Sequence, residues 1–184
     1  NRHWIYETVL PDDWVAGGVA GPGAGLHHTL ACRGLDYAGW VYLNGKLAGE
    51  FRGSHVPHRF DLTPFLAPSR NVLRIVFDLP PRWLGQFGRT SRFTDWKVRF
   101  NYTWDWTPRL VQVGFTDAVL LETSDGARIA DFRCSADAEV ADGGGVAGML
   151  TVRGRVPAGR GMVRLVLSGR AGVVREAEQS AAAF

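Results

Sequence analysis

The chain reads as an all-β protein, and three observations point there. Its apolar runs are short and rich in Val, Ile, Leu and aromatic residues. Gly, Pro, Asp and Asn interrupt them at close intervals. Convincing helical periodicity is missing, apart from a few turns that the composition allows near residues 175–183. Many short strands at this spacing predict a sandwich or jelly roll.

In chain order, residues 26–35 and 39–43 are strand-like, and Asn44-Gly45 supplies the two positive-φ residues of a tight hairpin turn. Residues 46–51 form the return strand. Asp61-Leu62-Thr63-Pro64-Phe65-Leu66 places a capping side chain ahead of a first-turn proline, the signal of one short helical turn. Residues 71–78, with Val72, Leu73, Ile75, Val76 and Phe77, read as a buried strand, and 80–95 as a long irregular segment of the kind that tends to be functional or mobile. Asp12-Asp13 is expected to form a turn. Residues 96–103, 110–113 and 117–123 complete this set of strands.

The composition shifts at Ser124-Asp125-Gly126, which divides the chain into domains 1–125 and 126–184. Strand candidates 129–139, 146–156 and 162–174 follow, separated by Gly143-Gly144-Gly145 and Pro157-Ala158-Gly159. Three or four strands are too few to close a sandwich, so the second unit is expected to be incomplete.

At 184 residues, 46% hydrophobic and 21% charged, the composition is that of an ordinary globular protein able to bury a core. No apolar run approaches bilayer length, so no membrane partner is expected. Asn1-Arg2-His3-Trp4 has neither an initiator Met nor a signal-like segment, so the chain reads as a fragment or processed form without an assignable compartment. Cys32 and Cys134 form no metal-binding pair and are expected as free thiols. His3, His27, His28, His55 and His58 include a doublet and a His-x-x-His without a third nearby ligand. No Asp-rich calcium loop stands out. The expectation is no metal and no cofactor.

Net charge is +3, and the basic residues are densest where Arg82, Arg89, Arg92, Lys97 and Arg99 face Asp95 alone. Trp83, Phe87, Phe93 and Trp96 interleave them, a pattern compatible with RNA. The near-balanced total favours a solvated loop with arginines paired elsewhere, so no nucleic-acid partner is expected.

The most informative stretch is Asn101-Tyr102-Thr103-Trp104-Asp105-Trp106-Thr107-Pro108-Arg109. An exposed indole offers an apolar face to the C–H side of a sugar ring, and an ionised Asp accepts hydrogen bonds from a diol. On a regular strand Trp104 and Trp106 share one face and Asp105 the other, so one pocket can use all three only if the strand ends or bulges here. Pro108 favours such an end. The plainer alternative keeps both indoles in the core.

These residues resemble the N-terminal sugar-binding domain of glycoside hydrolase family 2, in its β-mannosidase branch. The likeness runs in order through Trp4-Ile5-Tyr6, residues 34–45 ending in Leu43-Asn44-Gly45, residues 55–63 ending in Phe60-Asp61-Leu62-Thr63, Asn71-Val72-Leu73 and Trp104-Asp105-Trp106-Thr107-Pro108-Arg109. It implies a jelly-roll (galactose-binding-like) β-sandwich, with residues 128–174 as the opening strands of an incomplete immunoglobulin-like β-sandwich. In that family the jelly roll borders the active site of a downstream catalytic (β/α)8 barrel. The resemblance therefore implies that Asp105 and Trp104 contact a β-mannoside-type sugar, with Trp106 and Arg109 in support. Thr107 stands where glycine is usual, which is expected to alter the backbone beside Asp105, and Gly114-Phe115-Thr116-Asp117 replaces a Gly-Ile-Trp-Arg segment.

Retaining glycosidases need two carboxyls about 5 to 5.5 Å apart. In the resembled family both lie on barrel strands, and the acid is the Glu of an Asn-Glu dipeptide. Here the four asparagines precede Arg2, Gly45, Val72 and Tyr102, so that dipeptide is absent. No catalytic residue is therefore assigned within this chain. The expected function is the non-catalytic N-terminal portion of a β-mannosidase-like hydrolase. The alternative is a free-standing carbohydrate-binding module with Trp83, Trp96 or Trp104 on its binding face.

Overall fold

Asn44 and Gly45 take φ values of 52° and 77°, the pair of positive angles that a two-residue hairpin turn demands. They join β4 (Ala38–Leu43) to β5 (Lys46–Arg52). In the computed structural model the described residues are 3–16, 25–82, 84, 94–125, 128–140, 142–156 and 161–181. The chain divides into two units, Asn1–Thr123 and Ser124–Phe184.

The first unit also contains β1 (Trp4–Val9), helix α1 (Asp12–Ala16), β2 (His27–Cys32), β3 (Leu35–Asp36), β6 (His58–Asp61), β7 (Val72–Phe77), β8 (Gly114–Phe115) and β9 (Val119–Ser124). One antiparallel sheet has the order β1-β7-β4-β5, a second β6-β2-β9, and β3 pairs with β8. Burial alternates along β4 and β7, so Val41, Leu43, Leu73, Ile75 and Phe77 point inward. They meet Leu30 and Cys32 from β2 and Phe60 from β6 in one core, which makes the unit a β-sandwich. Gly39 is required here, because a Cβ would meet the Val76 carbonyl oxygen at 2.0 Å. At one end, buried Asn71 accepts from the Asn44 Nδ2 (2.8 Å) and the Ala67 amide (2.7 Å), tying the hairpin turn to the loop after the 3₁₀ turn Thr63–Phe65.

The second unit is two antiparallel hairpins, β10 (Ala130–Val140) with β11 (Val146–Arg155) and β12 (Met162–Gly169) with β13 (Gly172–Ser180).

Four expectations are corrected. Asp12-Asp13 opens helix α1, where two acids suit the N-terminal turn and Val15 is buried. The single strand expected over 162–174, with helix after it, is instead β12 and β13. Gly172, at φ 115°, reverses the chain, and Glu176 then pairs across the ribbon with Arg164. Residues 96–103 are not a strand. They run into a 3₁₀ turn at Arg99–Tyr102, and the alternation is inverted, with Trp96, Val98 and Phe100 exposed while Lys97 and Tyr102 are buried. Charge pairing by Lys97 decides this. Residues 110–113 are likewise irregular.

Candidate functional site

Trp104 and Thr107 exchange backbone hydrogen bonds, each amide donating to the other carbonyl at 3.2 Å. This closes a tight turn with Asp105 and Trp106 at its tip. Strand alternation therefore does not apply to these residues, and the Trp104 and Trp106 rings, which flank Asp105 in sequence, lie 6.0 Å apart. Asp105 is exposed, and among the described residues no side chain pairs with it. Trp106 is 77% exposed, so the reading of both indoles as core is excluded. Half-buried Trp104 lies edge-on between Phe100 (5.3 Å, 86°) and Trp106 (6.0 Å, 75°). Together these groups can offer an acceptor beside flat apolar faces, the combination that suits a sugar hydroxyl next to a C–H surface.

Thr107 does not take a positive φ. Thr103 does, and its φ of 144° and ψ of 152° lie in a region reserved largely for glycine. Its hydroxyl donates to the Thr107 carbonyl at 3.4 Å, so the strained residue also helps to close the turn. Arg109 is set back. Its guanidinium lies 5.4 Å from the Tyr102 ring centroid and donates to the Arg82 carbonyl at 3.2 Å. Tyr102 is buried and donates to the Pro81 carbonyl at 2.6 Å; burial pushes its hydroxyl up to about 12.

Ahead of the turn, the segment is fastened to the sandwich. Lys97 forms a fully buried ion pair with Asp36 on β3, and the Ser54 hydroxyl donates to the same carboxylate at 2.6 Å. Asp95 pairs with Arg52 at the end of β5 and accepts from the Tyr37 hydroxyl at 2.9 Å. Burial, followed by that hydrogen bond, raises the Tyr37 hydroxyl above its ordinary value. Sequence reasoning missed this network and placed Lys97 in a solvated basic patch, which the buried pair corrects. The usable signal was Asp36 itself, a lone carboxylate inside an apolar strand run that needs a buried cation. Arg89, Arg92, Trp83, Phe87 and Phe93 of that patch lie outside the described residues, while Trp96 is 79% exposed. Among the described residues no group of three or more His, Cys, Asp or Glu is arranged to hold a metal ion.

Residues 1–117 match the family described as glycosyl hydrolase 2 galactose-binding domain-like. The chain belongs to this family. Among curated relatives, β-mannosidase B of Aspergillus fumigatus is 33% identical over 71% of this chain and 16% of its own length. The β-mannosidase B of Thermothelomyces thermophilus is 30% identical over 65% of this chain and 15% of its own. This family 2 domain thus spans about a sixth of the length of the relatives it matches. The solved β-D-mannosidase of Dictyoglomus thermophilum shares its fold with a TM-score of 0.68 at 20% identity, covering 96% of this chain and 22% of that one. A β-D-glucuronidase from the same organism matches at a TM-score of 0.56 and 19% identity, covering 96% of this chain and 28% of that one. The same β-sandwich therefore serves glycosidases of different names, and the fold by itself does not select the sugar.

Proposed function

We propose that this family 2 domain is the non-catalytic N-terminal portion of a β-mannosidase-like glycoside hydrolase, bordering an active site whose two acids come from a catalytic barrel. Asp105 accepts from hydroxyls of the bound β-mannoside and Trp104 flanks the ring, while Trp106 and Arg109 support the turn. Residues beyond 125 are the opening strands of an immunoglobulin-like domain. The observation that carries this reading is the exposed carboxylate, without a side-chain partner among the described residues, held at the tip of an indole-flanked turn.

The test joins the chain to its catalytic barrel in one polypeptide. Asp105→Ala is expected to lower kcat/KM for a chromogenic β-mannoside about 100-fold, the scale of one hydrogen bond to a charged group that strengthens in the transition state. The separate 184-residue chain is expected to bind manno-oligosaccharides negligibly in calorimetric titration. Trp96 and Trp106, 79% and 77% exposed, favour the alternative of a free-standing carbohydrate-binding module. Micromolar-to-millimolar binding by the separate chain would establish that alternative instead.

A further inference from the structure

Residues 94–113 carry the Asp105 turn, yet apart from their own internal bonds they have no regular place in either sheet. Their local bonds hold the turn together: Trp104 with Thr107, and the Leu110 amide donating to the Asn101 carbonyl at 2.9 Å. Tyr102 and Arg109 reach Pro81 and Arg82, which themselves lie in irregular chain. None of these bonds registers the turn against the sandwich. On its N-terminal side two residues do. Asp95 engages Tyr37 and Arg52, and Lys97 is buried where it pairs with Asp36. Asp95 and Lys97 point to the same side two residues apart, as extended chain requires, and Trp96 is left outside.

We propose that Asp95 and Lys97 are positioning residues for the Asp105 turn, seated on Asp36, Tyr37 and Arg52 as a two-point clamp. This inference rests on the proposed use of Asp105 toward a sugar, but the clamp itself is testable without one. A buried ion pair adds little net stability over an apolar pair of similar volume. Its consequence is a single register, because a slip of this segment strands a charge in the core. The backbone at Thr103 agrees, since a β-branched residue persists at φ 144° only where its surroundings over-determine it. A misplacement of about 1 Å at a catalytic subsite costs on the order of 100-fold in rate, so such registration matters to the chemistry.

The experiment compares the 184-residue chain with Asp36→Leu/Lys97→Met, which replaces both charges with apolar groups, and with Asp95→Asn. Lys97→Met alone is avoided as the main probe, since it leaves Asp36 buried and unpaired. Two local readouts are taken: hydrogen exchange at the Trp104 and Thr107 amides, and the circular-dichroism exciton couplet of the Trp104–Trp106 pair. The clamp predicts about tenfold faster exchange at both amides and a lost couplet in the double variant, with smaller changes in Asp95→Asn, while β4 and β7 amides keep their protection. Unchanged exchange and couplet would overturn it, and so would a uniform loss of protection across the unit, which marks a merely stabilising pair. Should the clamp variants loosen the turn while Asp105→Ala leaves hydrolysis intact in the joined polypeptide, the clamp stands and the sugar-contact reading falls.

Discussion

The two units use the same element, the antiparallel hairpin, and differ in what lies behind it. In the first, the inward residues of β4 and β7 meet a second sheet, and Leu30, Val41, Leu43 and Phe77 are 0% exposed. In the second, β10 and β13 are exposed along almost their whole length, and the apolar side chains Phe132, Leu150, Val152, Leu165 and Leu167 border an open cleft of about 510 Å³. Alternating sequence is enough to form a ribbon in both cases. Stability comes from the facing layer, since a two-stranded ribbon alone is marginal in water.

The most forceful test of this contrast is truncation of one aromatic residue in each unit. Phe77→Ala is expected to cost about 3 to 5 kcal/mol, against less than about 1 kcal/mol for Phe132→Ala, which removes a side chain that is 57% exposed. Urea unfolding is followed by far-UV circular dichroism, to which both units contribute, and by tryptophan fluorescence, which reports the first unit alone because all seven tryptophans lie at or before residue 106. Equal shifts of the circular-dichroism transition by the two variants would break the contrast. Gly39→Ala comes next. Its methyl group collides with the Val76 carbonyl and with Phe51, and a loss of about 2 to 3 kcal/mol is expected in the same assay.

A smaller, pH-dependent effect belongs to the first unit, which holds all five histidines. Burial lowers His28 and His58 from the ordinary value of 6.5, so the folded unit keeps them neutral while the unfolded chain takes up protons. Their contribution is therefore present above 6.5 and is lost as pH falls below it. The fluorescence-detected midpoint should drop on acidification through that window, and His28→Gln should flatten the drop; a midpoint that rises instead contradicts the assignment. The mildest probe is the thiols. Cys32 is buried and raised to about 11, whereas Cys134 is exposed. Alkylation in native buffer should modify Cys134 and reach Cys32 only when the first unit opens. Comparable rates at both would mean that the sandwich breathes as freely as the ribbons.

Much of the first unit was legible locally. Asn44-Gly45 announced its turn because few residues tolerate two successive positive φ values, and Thr63-Pro64-Phe65 announced its 3₁₀ turn by the fixed φ of proline. The strands around them followed from short apolar runs bounded by turn residues. The same rule failed at residues 96–103, where the apolar side chains stayed outside and one lysine found a buried acid 61 positions earlier. It also missed the β12–β13 reversal, where Gly172 turned a single expected strand back on itself.

At the site, the order Trp104-Asp105-Trp106 was visible from the start as a pairing of acceptor and aromatic faces, since that depends only on side-chain chemistry. By themselves, the residues determined an all-β chain and a carboxylate between two indoles. How that carboxylate is presented was decided by the tertiary structure, through the Trp104–Thr107 closure, the backbone at Thr103, and the seating of Asp95 and Lys97 on distant strands. The physical reason is range. Turn chemistry and alternation act over a few residues, whereas a buried charge is satisfied by whichever partner the fold brings to it.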